Sequence, residues 1–361
     1  MLNKKHLILS LSLLFGLLLV ACSAPLSPGN QPIEVTDTSG YTTTLEQPPQ
    51  RVVIAGKAIF MVQDAVYLFP SADERVIGLE NRKQSAFDFL PVISDNVEEI
   101  ANLEMNAGPE QIAALEPDLV LLKNYMAETF EGPLDSLGIP AVYLNLETPE
   151  TFYRDIEVLG DIFQNQERAE EINQFYQSRV RDVEDALSGA AEDQKPRVLL
   201  LEYSDQGGEV AFNVPPASWI QTTLIEKAGG VPVWTEMEAS SGWTIVSFEQ
   251  IAAWDPDQIF LVDYSGAGEQ VVAELKADPL WQELQAVQNQ KLHAFAFDYY
   301  SWDQPDTRWI LGLQWLATKI HPGRTGEIDI QEAVLDFYTI LYGLEEETVR
   351  EEILPLLKGD L

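Results

Sequence analysis

Apolar residues along the chain fall into short unbroken runs separated by amphipathic stretches. Arg51–Ile54 is the first such run, and a helical pattern follows from about Ala58 to Phe69. Runs at Arg75–Gly78, Asp118–Leu122 and Pro140–Leu144 repeat the scheme. Short apolar strands between helices predict a parallel sheet covered on both faces. From Pro149 to Ala190, Phe152, Ile156, Leu159 and Phe163 recur every three or four residues, and no proline interrupts the stretch between Thr151 and Lys195. That spacing predicts one long helix, a stiff connector. After Pro196 the pattern restarts with Arg197–Tyr203, Asp257–Val262 and Lys291–Phe297. Trp309, Leu313, Leu316 and Ile320 then mark the core-facing side of a helix, and Glu345–Glu352 reads as a solvated helix face.

The pattern contains a repeat. Glu110-Gln-Ile-Ala-Ala-Leu-Glu-Pro-Asp-Leu-Val-Leu-Leu122 matches Glu249-Gln-Ile-Ala-Ala-Trp-Asp-Pro-Asp-Gln-Ile-Phe-Leu261 at eight of thirteen positions, with an offset of 139 residues (249 − 110). Each copy reads as helix, Pro-Asp turn and buried strand, because proline ends the helix and the apolar run behind it starts the strand. One such unit in each half predicts two lobes of the same fold, and two copies are too few for a solenoid.

The N-terminus reads as an export signal. Lys4 and Lys5 precede an apolar run from Leu7 to Val20, which ends in Leu19-Val20-Ala21-Cys22. The run is short for a membrane span and has the flanks of a signal peptide. A small residue before a cysteine at its end predicts lipidation of Cys22 and cleavage there. Residues 1–22 are assigned to the signal, and 23–32, rich in Ser, Pro and Gly, to a flexible tether. A first lobe over 33–148, a connecting helix over 149–190 and a second lobe over 191–361 complete the expected organisation. Cys22 is the only cysteine, so no intrachain disulfide supports the fold. The 46% hydrophobic and 22% charged fractions are those of a globular protein. Lys and Arg total 22 against 58 Asp and Glu, a net charge of −36, which argues against nucleic-acid partners. Solubility, a salty medium or a basic docking partner would each account for it.

These features together resemble the solute-binding proteins of ABC importers for iron–siderophores, haem and vitamin B12. The resemblance rests on the doubled Glu-x-Ile…Pro-Asp element, the long helix and the lipoprotein signal, and spans about Glu34 to Pro322. It implies an α/β fold of two similar lobes with central parallel sheets, joined by one long α-helix, with the ligand cleft between them. It implies permease and ATPase subunits as partners, a monomeric binder and an exported location, lipid-anchored to the outer face of the cell membrane or in the periplasm. In that family a surface glutamate on each lobe pairs with permease arginines, which carries onto Glu110 and Glu249. Their place at the start of a helix whose following strand ends in the cleft puts them, on this reading, away from the ligand loops. The chain departs from the family at Ala55–Asp64, where many relatives have a proline and then a Thr-Glu pair.

Ligands in open α/β lobes sit beyond the carboxyl ends of the strands. In the first lobe the loops there carry Lys57, Arg82, Lys83, Lys123 and Tyr125; in the second they carry Tyr203, Trp243, Tyr299, Tyr300 and Trp302, with Arg308 at the following helix start. The expectation is a basic lobe facing an aromatic one, suited to a ferric siderophore, haem or corrinoid. The alternative is an oxyanion such as molybdate or tungstate. Structural roles remain open for the lysines and for Arg308, which has Asp303 and Asp306 nearby. No cofactor is expected. The three histidines, His6, His293 and His321, are too scattered for a His-rich metal site. A chelatase-like enzyme is a further alternative, although no Gly-rich phosphate loop, Gly-x-Ser-x-Gly elbow or cysteine ligand set is present. A surface adhesin would not need a duplicated lobe.

Overall fold

The computed structural model describes residues 32–81, 88–189, 195–206, 208–237 and 241–361. Cys22, Arg82 and Lys83 lie outside the described residues. An antiparallel hairpin, β1 (Ile33–Thr36) and β2 (Thr42–Leu45), leads in. The first sheet contains β3 (Val52–Ile54), β4 (Val76–Glu80), β5 (Ala101–Leu103), β6 (Leu119–Lys123) and β7 (Ala141–Leu144), all parallel, in the order β5-β4-β3-β6-β7. Every residue of β3, β6 and β7 is buried, as expected of strands covered on both faces. Val52, Ile54, Leu119 and Leu121 face one apolar cluster, and Val53, Val120 and Leu122 face the other.

The second sheet contains β8 (Arg197–Gln206), β9 (Glu209–Val214), β10 (Val231–Pro232), β11 (Thr244–Val246), β12 (Gln258–Val262) and β13 (Leu292–Ala294). Its order is β11-β9-β8-β12-β13, with β10 also beside β8. Strands β8, β12 and β13 are parallel, while β9 turns back along β8 as a hairpin.

The repeat is structural. The helix Pro109–Ala113 and strand β6 of the first lobe correspond at the same 139-residue offset to the helix Phe248–Trp254 and strand β12 of the second. The Pro-Asp turns show why the motif was kept in both. Asp118 accepts hydrogen bonds from the amides of Gln50 (2.7 Å) and Arg51 (2.8 Å), at the start of β3. Asp257 accepts the amide of Arg197 (2.7 Å), at the start of β8. Arg51 donates to the carbonyls of Leu115 and Glu116, and Arg197 to that of Trp254, so each arginine satisfies the end of its helix. Proline stops the helix, aspartate fixes the neighbouring strand and arginine reaches back.

The stretch predicted as one helix over 149–190 is two, α1 (Pro149–Phe163) and α2 (Gln166–Leu187). Gln164 adopts a left-handed conformation, φ 55°, and the Asn165 side chain accepts the Arg168 amide to start α2. The helices run side by side: Phe152 lies 4.6 Å from Tyr176, and Asn173 donates to the Tyr153 carbonyl at 3.0 Å. A Cβ on Gly160 would sit 2.8 Å from that of Ala169, so glycine is what allows the close approach. Arg168 pins the start of α2 to both sides, donating to Leu68 (3.0 Å) and Leu341 (2.6 Å). Residues 32–361 form one compact unit.

Candidate functional site: the cleft between the lobes

The loops at the C-terminal ends of the parallel strands meet in a cleft of about 740 Å³. Residues from the first lobe (Lys57, Ala58, Met61, Asn124, Tyr125, Glu147) face residues from the second (Trp219, Gln221, Ser241, Trp243, Tyr264, Gln304, Pro305). Buried carboxylates hold the cleft loops. After β3, Gly56 (φ 91°) and Ala58 (φ 55°) make a tight left-handed turn, and the buried Glu80 accepts the amides of Gly56 and Asn106, both at 2.7 Å. After β7, Asp155 accepts the amides of Asn145 (2.7 Å) and Leu146 (2.8 Å), which fixes the loop carrying Glu147. Burial pushes the Asp155 carboxyl up to about 7, against those two amides and the Lys123 charge, which favour ionisation. In the second lobe Tyr264 donates to Asp303 at 2.9 Å, and Gln221 donates to the same oxygen at 3.1 Å. Burial raises Asp303 to about 6.

One wall is aromatic. Trp219 and Trp243 meet edge to face at 5.6 Å, and Trp243 lies 6.3 Å from Tyr264. Of the predicted ligand residues, Lys57, Tyr125 and Trp243 line the cleft. Sequence reasoning missed Trp219, Gln221 and Tyr264. Tyr264 could have been found, because it stands two residues beyond β12 at the end where ligands bind.

Of the expected basic face, the described residues bring only Lys57 to the cleft. Lys123 is fully buried, donates to the Asn145 carbonyl and pairs with Glu147 at 2.9 Å. Its charge is spent inside the protein. Lys57 is the one cation lining the cleft among the described residues. Tyr203 packs on Phe212 in the β8–β9 hairpin, 5.9 Å between rings, away from the cleft. Tyr299 packs on Phe89 at 4.9 Å, Tyr300 stacks across the lobes on Phe60 at 4.4 Å, and Trp302 is fully buried. His293 pairs with Asp360, and His321 meets the Gly229 carbonyl.

Arg308 does not face the cleft either. It is fully buried where the lobes meet, 2.5 Å from Asp64 of the first lobe, 2.9 Å from Asp298 and 3.5 Å from Asp306. Phe89 lies 4.5 Å from its guanidinium, Tyr338 donates to Asp298, and Tyr342 donates to the Asp64 carbonyl at 3.0 Å. Three carboxylates share one guanidinium in a dry setting. Burial outweighs the Arg308 charge and lifts Asp64 to about 6, and it holds Asp306 well above its ordinary value.

Glu110 and Glu249 are both exposed in the first turns of their helices. They stand at the end of each lobe where the parallel strands finish. Strand β5 runs parallel to β4, so the chain enters the Pro109–Ala113 helix from the cleft end. Strand β11 runs antiparallel to β9 and therefore along β8, so it too delivers its helix at that end. Both glutamates follow an edge strand, and neither lines the cleft.

A family model described as periplasmic binding protein matches residues 91–298. The chain belongs to the periplasmic binding protein family. It is 23% identical over 254 residues to the molybdate-binding protein MolA of Haemophilus influenzae, covering 64% of this chain and 69% of that one. It is 23% identical over 300 residues to the uncharacterized ABC transporter substrate-binding lipoprotein YvrC of Bacillus subtilis, covering 81% and 86%. A periplasmic solute binding protein from Veillonella parvula has a similar crystal structure, with a TM-score of 0.71 at 23% identity over 87% of this chain and 95% of that one. This periplasmic binding protein therefore has the two-lobed fold of ABC-type solute binders, whose members work with permease and ATPase components. No helix among its described residues is long and apolar enough to cross a membrane.

Proposed function

We propose that this periplasmic binding protein is the lipid-anchored binding component of an ABC importer, acting without turnover on a bulky chelate of the corrinoid, haem or ferric-siderophore kind. The observation that supports this most is the cleft itself: about 740 Å³, walled by Trp219, Trp243 and Tyr264, and lined, among the described residues, by a single lysine. Such a volume suits a ligand of drug size or larger, and the rings offer stacking faces. A tetrahedral oxyanion needs several converging donors and would leave most of this space empty. The exposed Glu110 and Glu249, at the end of each lobe where the parallel strands finish, would place the cleft over the permease, with the loaded protein docking as a monomer.

The ligand class is tested by titrating the purified protein with cyanocobalamin, haemin, a ferric catecholate siderophore and molybdate while following tryptophan fluorescence. One of the first three should bind, and Trp243→Ala should weaken that binding about tenfold or more. Saturable binding of molybdate alone would overturn the assignment. The lipid anchor is tested separately. Wild type should partition into a detergent phase and Cys22→Ser should stay in the aqueous phase; equal partition would remove the anchor from the proposal.

A further inference from the structure

A second cavity, of about 750 Å³, shares no residue with the cleft. Helix α2 forms one wall, and the helix Ile330–Asp336 with the turn before it forms the other. Between them runs the helix Trp309–Ile320, which packs on both. Six carboxylates and two arginines line this space. Half of these groups are engaged within the protein. Arg179 pairs with Asp336 at 3.0 Å and lies over the Phe175 ring at 3.7 Å. Asp329 accepts the amides of Gln331 and Glu332 at the start of its helix, and Arg324 reaches the Ser188 carbonyl at 3.4 Å. Asp182, Asp185, Glu327 and Glu332 are exposed, and none of them forms an ion pair with a described residue.

An acidic lining alone would be ordinary in a chain of net charge −36. The floor is what makes a site of it. Gln314 stands between the fully buried Leu313 and Trp315, is only 8% exposed and lines the cavity. Its amide has no hydrogen-bond partner among the described residues. Buried amides are nearly always bonded, because giving up water without a replacement partner is costly. A leucine would serve the packing of this helix. Glutamine instead presents a carbonyl oxygen and an NH2 group to an acidic cavity, beside the apolar Ala186, Ile328 and Ala333.

This composition selects a ligand class. A metal ion needs several oxygens converging on one point, and no three carboxylates are so placed among the described residues. A chain of ammonium groups separated by methylenes needs the reverse: carboxylates spread along a groove, apolar surface between them, and an acceptor for an inner N–H. We infer that this cavity is a second binding site, for a small linear polyamine. Its ammonium ends meet Asp182, Asp185, Glu327 and Glu332, and its inner nitrogen donates to the side-chain oxygen of Gln314. Bound there, it ties α2 to the helix Ile330–Asp336 and relieves the repulsion between their carboxylates. The inference does not depend on what the cleft binds.

The test is calorimetric titration of the purified protein with spermidine at about 0.15 M ionic strength, where diffuse attraction to an acidic surface is screened. Binding should be saturable at one to one, should raise the unfolding temperature and should persist against magnesium at equal concentration of charge. Gln314→Leu changes no charge and should weaken binding about tenfold, the worth of a hydrogen bond to a charged group. Asp182→Asn with Glu332→Gln should also cost about tenfold. Glu98→Gln with Glu99→Gln removes the same charge from the first lobe and should leave binding within twofold of the parent. Without spermidine, Gln314→Leu should unfold no earlier than the parent; if it does unfold earlier, the two charge-removing pairs decide the matter. Absence of saturable binding, equal losses in the two charge-removing pairs, unchanged binding by a stable Gln314→Leu, or displacement by magnesium overturns the inference.

Discussion

Replacing Arg308 with methionine should lower the free energy of unfolding by about 3–5 kcal/mol near pH 7.5, the range for removing one partner from a buried ion cluster. The guanidinium is the only cation bonded to the buried Asp64, Asp298 and Asp306 among the described residues. Methionine fills much of the space but leaves three carboxyls with nothing to balance them. The loss should depend on pH. Asp64 titrates at about 6 in the folded protein against an ordinary value of 3.8, so the folded state holds the proton more tightly than the unfolded state. Its contribution to stability is therefore greatest below 3.8 and declines as pH rises through 6. Removing Arg308 pushes Asp64 and Asp306 higher still, because its charge lowers both. The gap between variant and parent should then widen from pH 5 to pH 8, and adding Asp64→Asn should narrow it. Denaturant unfolding across that range is the measurement. A loss under about 1 kcal/mol at pH 7.5, or one that does not change with pH, would show that the cluster is not the junction described.

Reversing both charges, Glu110→Arg with Glu249→Arg, should reduce uptake by reconstituted vesicles at least a hundredfold, with each single reversal costing about tenfold. Ligand affinity should not change, because neither residue lines the cleft. The two contacts act as linked sites on one rigid body, so losing both costs more than losing either. Uptake by the parent should also fall with ionic strength. Normal transport by the double variant, or a collapse of ligand affinity in either single variant, would take the docking role away from these glutamates.

Much of the fold could be read from the chain because its determinants are local. The Glu110 and Glu249 copies, with proline breaking the helix and aspartate opening the strand, mark two equivalent units in the sequence alone. The break between α1 and α2 was hidden because Gln164, not glycine, takes the left-handed turn; the one local sign was Asn165, a good cap for the helix it starts. The site was harder. A lysine at a strand end reads as solvated, and only the loop after β7 brings Glu147 to Lys123. Arg308 finds Asp64 across 244 residues of sequence, a contact no local pattern encodes. Trp219 follows a Pro-Pro-Ala-Ser loop and reads as an ordinary helix start until the second lobe faces the first.

The aspartates of the two Pro-Asp turns also bear on the order in which the chain assembles. Each fastens the beginning of its lobe's central strand from far downstream, 68 residues on for Gln50 and Asp118 and 60 on for Arg197 and Asp257. Each central strand thus stays unfastened until the second half of its own lobe is in place. Such late, non-local closure slows folding. Each fastening lies wholly within one lobe, whereas the pairing of Arg308 with Asp64 needs both.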